Sequence, residues 1–315
     1  MLHLLLPRGF AGRLAICAGC GYLAGLLLTV ILLRVFNLLA PGHLYVPTLT
    51  VLLAAALAMA VVSHRRGWKS AFRDQRLRLS KLEKALALLF LGLIALRLGT
   101  LVQEVAIRPL FPWDALMNWA PKAVVWSHYN ELVPFTTAEQ WLASDHATAL
   151  YTLRAAVYPE MVPLILLWNM LGANVSDHSL LYLSWPLLLF CLAMATYGFS
   201  RSFALQPVPS LLAAYLVCSL PFANVHTALA GYADLWMATA FMFAVCSAQA
   251  LVNTRNLRFL ALTLPICLAC VMLKRPGLVL AGIVILTLVA CWFRTGPRIL
   301  LGGVVILLIL LFIGI

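Results

Sequence analysis

The residues of this 315-residue chain that could do chemistry are few and gather in four short segments. Asp114 follows Pro112-Trp113 and leads into Asn118-Trp119-Ala120-Pro121-Lys122. Glu160 stands in Tyr158-Pro159-Glu160-Met161-Val162-Pro163, Asp234 in Gly231-Tyr232-Ala233-Asp234-Leu235, and Lys274-Arg275 in a tight turn before Pro276-Gly277. A positioned carboxylate can take the proton of an attacking hydroxyl. Paired cations can hold the charge that develops on a leaving anion.

The elements that must position these residues are membrane helices. Apolar residues make up 64% of the chain and charged residues 10%, with mean hydropathy +1.00. Too little polar material remains to cover a water-facing surface, which excludes a soluble enzyme, a disordered chain and a coiled coil. Long apolar runs without alternation choose helices over a barrel. The expected fold is therefore all-α, a polytopic membrane helical bundle of about nine spans. They are read at 14–40, 44–62, 85–107, 179–200, 208–223, 232–251, 259–273, 277–293 and 299–315, at close to 20 residues per span. The first lacks an Ala-x-Ala-like cleavage site and is read as an anchor. Residues 1–84 form a two-span hairpin with a basic loop, and 85–315 a membrane core with an outer loop over 108–158.

The net charge of +12 follows topology and not nucleic acid. Eight Lys and Arg lie from His64 through Lys84, a short basic loop of the kind that marks the cytoplasmic side. Arg8, Arg13, Arg201, Arg255, Arg258, Arg294 and Arg298 join that side if the apolar piece Met161–Gly172 is a re-entrant or half helix. Of the ten acids only Asp74 and Glu83 then fall inside. The rest, Glu104, Asp114, Glu131, Glu139, Asp145, Glu160, Asp177 and Asp234, gather at or beyond the outer face with five histidines, His146 among them.

Within the outer loop, Asp114 can cap a helix running onward. Trp119 and Trp126, seven apart, share one face of it. That pattern predicts a helix lying in the interface with tryptophans at headgroup depth, as a donor-entry surface or as a plain aromatic belt. Lys274 and Arg275 break the positive-inside rule; they either bind an anion or snorkel from a short turn. Asp234 either binds substrate or complements its helix dipole. Arg97 and Glu104 share a helical face and predict a structural pair, with Arg34 as a further partner. Cys17, Cys20, Cys191, Cys218, Cys246, Cys267, Cys270 and Cys291 all sit in apolar runs and read as small buried hydrophobes, despite two C-x-x-C spacings.

In order and spacing the four segments resemble a family. Trp113-Asp114-Ala115 with Trp119 and Lys122-Ala123 is similar to the W-D-A-x-x-x-W-x-x-K-A segment of bacterial GT-C-type glycosyltransferases. These are membrane enzymes related to protein mannosyltransferases and lipid A aminoarabinose transferases. Tyr158-Pro159-Glu160 with Pro163 resembles their H-P-[DE]-x-P, Gly231–Leu235 their G-Y-A-D-L, and Lys274 with Gly277 their K-x-E-G. Tyr158 stands where His is usual, and Pro276 where an acid is usual. Such proteins generally continue with further spans or an outer domain, so the resemblance implies a fragment or a short homologue.

The resemblance implies inverting sugar transfer from a polyprenyl-phosphate donor to an envelope glycan, lipid or protein acceptor. The reaction would run at the outer face of the bacterial inner membrane, among membrane lipids. Asp114 would be the base. Trp113, Trp119, Lys122, Glu160, Asp234, Lys274 and Arg275 would bind substrate, and Glu160 with Asp234 could hold a divalent metal such as Mg or Mn. Two other classes fit the composition: a transporter or flippase of lipid-linked sugars, which should show internal repeats, and a non-catalytic assembly subunit.

Overall fold

The computed structural model describes residues 6–7, 10–65, 79–144 and 151–293. The expected span 299–315, most of the basic stretch 63–84, and Arg8, Asp145, His146, Arg294 and Arg298 lie outside them. Among the described residues the fold is helical, and its one extended contact is an isolated bridge between Thr136 and Thr152.

The long helices are α1 (Arg13–Leu39), α2 (Tyr45–Arg65) and α3 (Lys81–Ile107). A helical excursion follows: a π-helical turn at Ala115–Trp119, then α4 (Ala120–Tyr129) and the short α5 (Ala138–Leu142). Next come α6 (Met161–Ala173), α7 (Ser184–Ser202), α8 (Pro207–Ser219) and α9 (Pro221–Ala228). The series closes with α10 (Asp234–Thr254), α11 (Leu260–Leu273) and α12 (Gly277–Phe293). Local sequence sets the ends. Ser80 accepts from Glu83 N–H while the Glu83 carboxylate accepts from Ser80 N–H at 2.8 Å, a capping box that starts α3.

Among the described residues, five helices are long and apolar enough to cross a membrane, six if the bent pair α8–α9 is one span. That is fewer than the nine expected. The difference lies in 299–315 and in the short apolar helices ending at Leu273 and Trp292. The bend of 54° between α8 and α9 falls at Leu220-Pro221, where proline cannot continue the ladder. Asn224 Nδ2 bridges the break, donating to the carbonyls of Cys218 and Leu220, each at 2.8 Å.

α1 packs along α7 through small residues. A Cβ on Gly198 would lie 2.6 Å from Ile16 N, and one on Gly19 2.4 Å from Cys191 O, so the backbones meet where no side chain intervenes. This contact sets α1's start beside α7's end. Ser179 Oγ donates to Ala106 O at 2.6 Å, bringing α7's start to α3's end, and Arg255 donates to Trp292 O at 3.0 Å, joining the ends of α10 and α12. Helix polarity then gathers the acids, with the cations that pair them, at one end. Glu104, Asp114, Glu131, Glu160, Asp177 and Asp234 lie at one end of the bundle, and Arg201 and Arg255 at the other.

The thirteen-residue α6 is about 20 Å long, short of a ~30 Å hydrocarbon layer. Both its ends meet elements of the acid-rich end. Glu160 before it pairs with Arg34, Asn169 donates to Leu181 O at 2.7 Å and Ser184 Oγ at 2.9 Å, and Trp168 lies on Tyr45. Its residues Met161 through Leu167 are all buried, as an apolar helix enclosed on every side must be.

Gly198→Val should crowd the α1–α7 crossing and cost at least about 1–3 kcal/mol, read as a lower melting temperature in detergent. Gly25→Ala, where nothing lies within 4 Å of the added carbon, should leave melting unchanged or slightly raised.

Candidate functional site

The helix carrying Asp114 begins at Trp113 and widens into the π-helical turn before α4. Pro121 explains the widening. It has no N–H to give to Met117 O, and its ring would press on that carbonyl in a regular helix. Ala120 N–H bonds Ala115 O instead. Asp114 was expected to cap this helix; its side chain makes no cap bond. It accepts from Asn118 Nδ2 with Oδ1, and from Trp119 Nε1 at 2.8 Å with Oδ2. Each carboxylate oxygen keeps a further lone pair for an incoming donor.

Trp119 and Trp126 do share a face, and it points inward against α6 rather than to headgroup depth. Both are buried, and Trp126 Nε1 donates to Val133 O at 3.0 Å. Trp113, at the start of the same helix, faces outward instead, 71% exposed. Asn130 ends α4 in the left-handed region and ties it to the α1–α2 turn, donating to Gly42 O at 2.7 Å and accepting from Leu44 N–H.

Lys122 on the same inward face is fully buried. Its ammonium donates to Ala156 O at 2.8 Å and Tyr158 O at 3.0 Å, and lies 4.0 Å from Glu160 Oε1. Glu160 Oε2 meanwhile accepts from Arg34. Burial holds the Lys122 ammonium below the usual lysine range; Glu160 opposes that shift and Arg34 adds to it. The side chain expected to bind substrate is thus spent on the protein. It clasps the segment before α6 to the outer helix.

The third and fourth segments meet the first two. Gly231 has φ +110°, and a Cβ there would sit 2.5 Å from Ala115 Cβ, so only glycine brings this loop against the Asp114 turn. Trp185 Nε1 donates to Tyr232 O at 2.8 Å and fixes the loop from below. Lys274 pairs with Asp234 at 2.7 Å, at the start of α10. Arg275 lies over the Tyr158 ring at 5.3 Å, and that ring lies 5.8 Å from Trp119. A continuous set of contacts therefore runs from Asp114 through Trp119 and Tyr158 to Arg275.

No protein-family model, curated protein or solved structure matches this chain.

Two further expectations change. Glu104 pairs with Arg108, one turn on, and not with Arg97; Arg34 pairs with Glu160. Lys274 does not stand ready for an anion, because Asp234 holds it. As for a metal, no three His, Cys, Asp or Glu side chains come together among the described residues, and Glu160 and Asp234 each bind a cation of the protein.

Sequence reasoning passed over Asn118 and the true partner of Arg34. Spacing gave a signal for the first, since Asn118 is four residues after Asp114 and shares its face. Lys122→Met should leave two carbonyls unpaired and strip Glu160 of one cation, at a cost of about 2–4 kcal/mol. Thermal melting and limited proteolysis of segment 151–160 check that outcome.

Proposed function

We propose that this chain is a membrane glycosyltransferase of the GT-C kind, working at the acid-rich end of its bundle. The reaction would move a sugar from a polyprenyl-phosphate donor to an envelope glycan, lipid or protein hydroxyl at the outer face of a bacterial inner membrane. One observation supports this reading above the others: four segments far apart in sequence meet around Asp114, Trp119, Tyr158 and Arg275.

Asp114 takes the proton of the acceptor hydroxyl as its oxygen attacks the anomeric carbon. The bond from that carbon to the phosphate oxygen breaks on the opposite side, which inverts the centre. The electron pair leaves with the polyprenyl phosphate. Arg275, exposed and without a carboxylate partner among the described residues, meets the charge that develops there. Asn118 and Trp119 aim the Asp114 carboxylate. Trp113 offers an outward apolar face to the donor, and the Asp234–Lys274 pair a polar edge to sugar hydroxyls.

A non-catalytic membrane subunit is the second reading. The saturation of Lys122, Glu160, Asp234 and Lys274 by one another and by backbone favours it.

Membranes with equal amounts of wild type or Asp114→Asn, followed by mass spectrometry of polyprenyl-phosphate sugars, separate the two. Wild type should consume donor when acceptor is present, and the variant at least about a hundredfold more slowly. Equal donor levels in both would remove Asp114 from catalysis and leave the subunit reading.

A further inference from the structure

α3 is long and apolar enough to cross a membrane, yet its own chain hardly encloses it: 11% of its apolar stretch is buried, against 61% in α10. Leu88, Leu91 and Leu96 face outward along it and need no partner but lipid. Arg97 breaks that side. It is exposed, sixteen residues after Lys81 and ten before Ile107, about 24 Å and 15 Å from the two ends of α3. Its guanidinium reaches no carboxylate among the described residues; Glu104, two turns on along the same face, pairs with Arg108 instead. Thr100 gives its hydroxyl hydrogen to the Arg97 carbonyl at 2.8 Å, a bond within the helix that does nothing for the side chain. Side chains on a helix lean toward its start, so Arg97 leans away from the nearer, acid-rich end and toward the farther one. The helix itself thus opposes snorkelling. A charge at this depth calls for an opposite charge at the same depth.

We infer that the Arg97 side of α3 docks a membrane helix of another protein, one that carries a carboxylate inside the bilayer level with Arg97. This chain does not supply that carboxylate: its expected last span, 299–315, holds no acid. A second copy does not supply it either, because a two-fold axis along the membrane normal brings like residues together at equal depth, here arginine against arginine. Lipid phosphates lie outside the apolar layer, beyond the side chain's lean. A helix with one Asp or Glu meets both needs of this surface, apolar contact with the outward leucines and a counter-charge for the guanidinium. The inference stands apart from the transferase reading, which gives Arg97 no part.

A synthetic leucine–alanine helix flanked by lysines and carrying one Glu near its middle tests it, titrated against the full chain in phosphatidylcholine vesicles. Energy transfer between labels on the two molecules reads the association. The same helix with Gln in place of Glu, and one with its Glu moved to the headgroup level, are the controls. Wild type should bind the central-Glu helix at least about tenfold more tightly than either control. Arg97→Leu should lose that preference and Arg97→Lys should keep most of it; because Arg97 is exposed, both variants should fold as wild type does. Equal affinity for the Glu and Gln helices, a preference that survives Arg97→Leu, or equal binding of the helix with its Glu at the headgroups would each overturn the inference. So would loss of the preference in phosphatidylglycerol vesicles, which would give Arg97 to lipid phosphate.

Discussion

Lys122 carries its charge to a place that water does not reach, and the chain from Ala156 to Glu160 takes its shape around that charge. Desolvating an ammonium costs several kcal/mol, which only a close set of oxygens offsets. Two backbone carbonyls and one carboxylate supply it here. Because the carbonyl of Tyr158 is one of them, its ring is delivered under Arg275 and beside Trp119. Because Glu160 is another, Arg34 of α1 is drawn to the same place. The outer helix, α6 and α1 are thereby joined through a single nitrogen.

That junction works only on a bundle whose helices already bring their ends together. The glycine contacts of α1 with α7 remove side chains from the crossing, so the two helices approach to backbone distance. Trp185 extends the same logic upward: its ring packs edge-on against Trp236, while its N–H holds Tyr232 O and so the loop that abuts Ala115. Apolar packing sets the heights of the helices, and a handful of polar bonds fixes the loops that close one end.

Long apolar runs were the legible part of the sequence. The bounds of α1 differ from the expected span by one residue at each end, and α10 starts two residues later than expected, because hydropathy changes sharply there. The bend at Leu220-Pro221 escaped that reading, since an averaged hydropathy does not see one missing N–H. Periodicity put Trp119 and Trp126 on one face but is silent about which way a face turns. Ion pairing was the least legible. Arg34 and Glu160 are 126 positions apart, and nothing local marks one as the partner of the other. Glu104 instead took the neighbour one turn away, the pairing that helix geometry makes easiest. The four site segments could thus be found from sequence, while the degree to which their charges satisfy one another could not.

The π-helical turn at Ala115–Trp119 amounts to one residue more than a regular helix would need. In an α-helix the fifth residue on lies about 140° around the axis from the first, out of reach of a short carboxylate. Here Asp114 is gripped by both its fourth and its fifth successors. The extra residue that Pro121 imposes is therefore what aims this carboxylate. A descendant gene that lost one codon in this stretch would still encode a good amphipathic helix with its tryptophans buried. It would turn everything before the lost residue by about 100°, parting Asp114 from the two side chains that grip it while leaving the bundle outwardly intact.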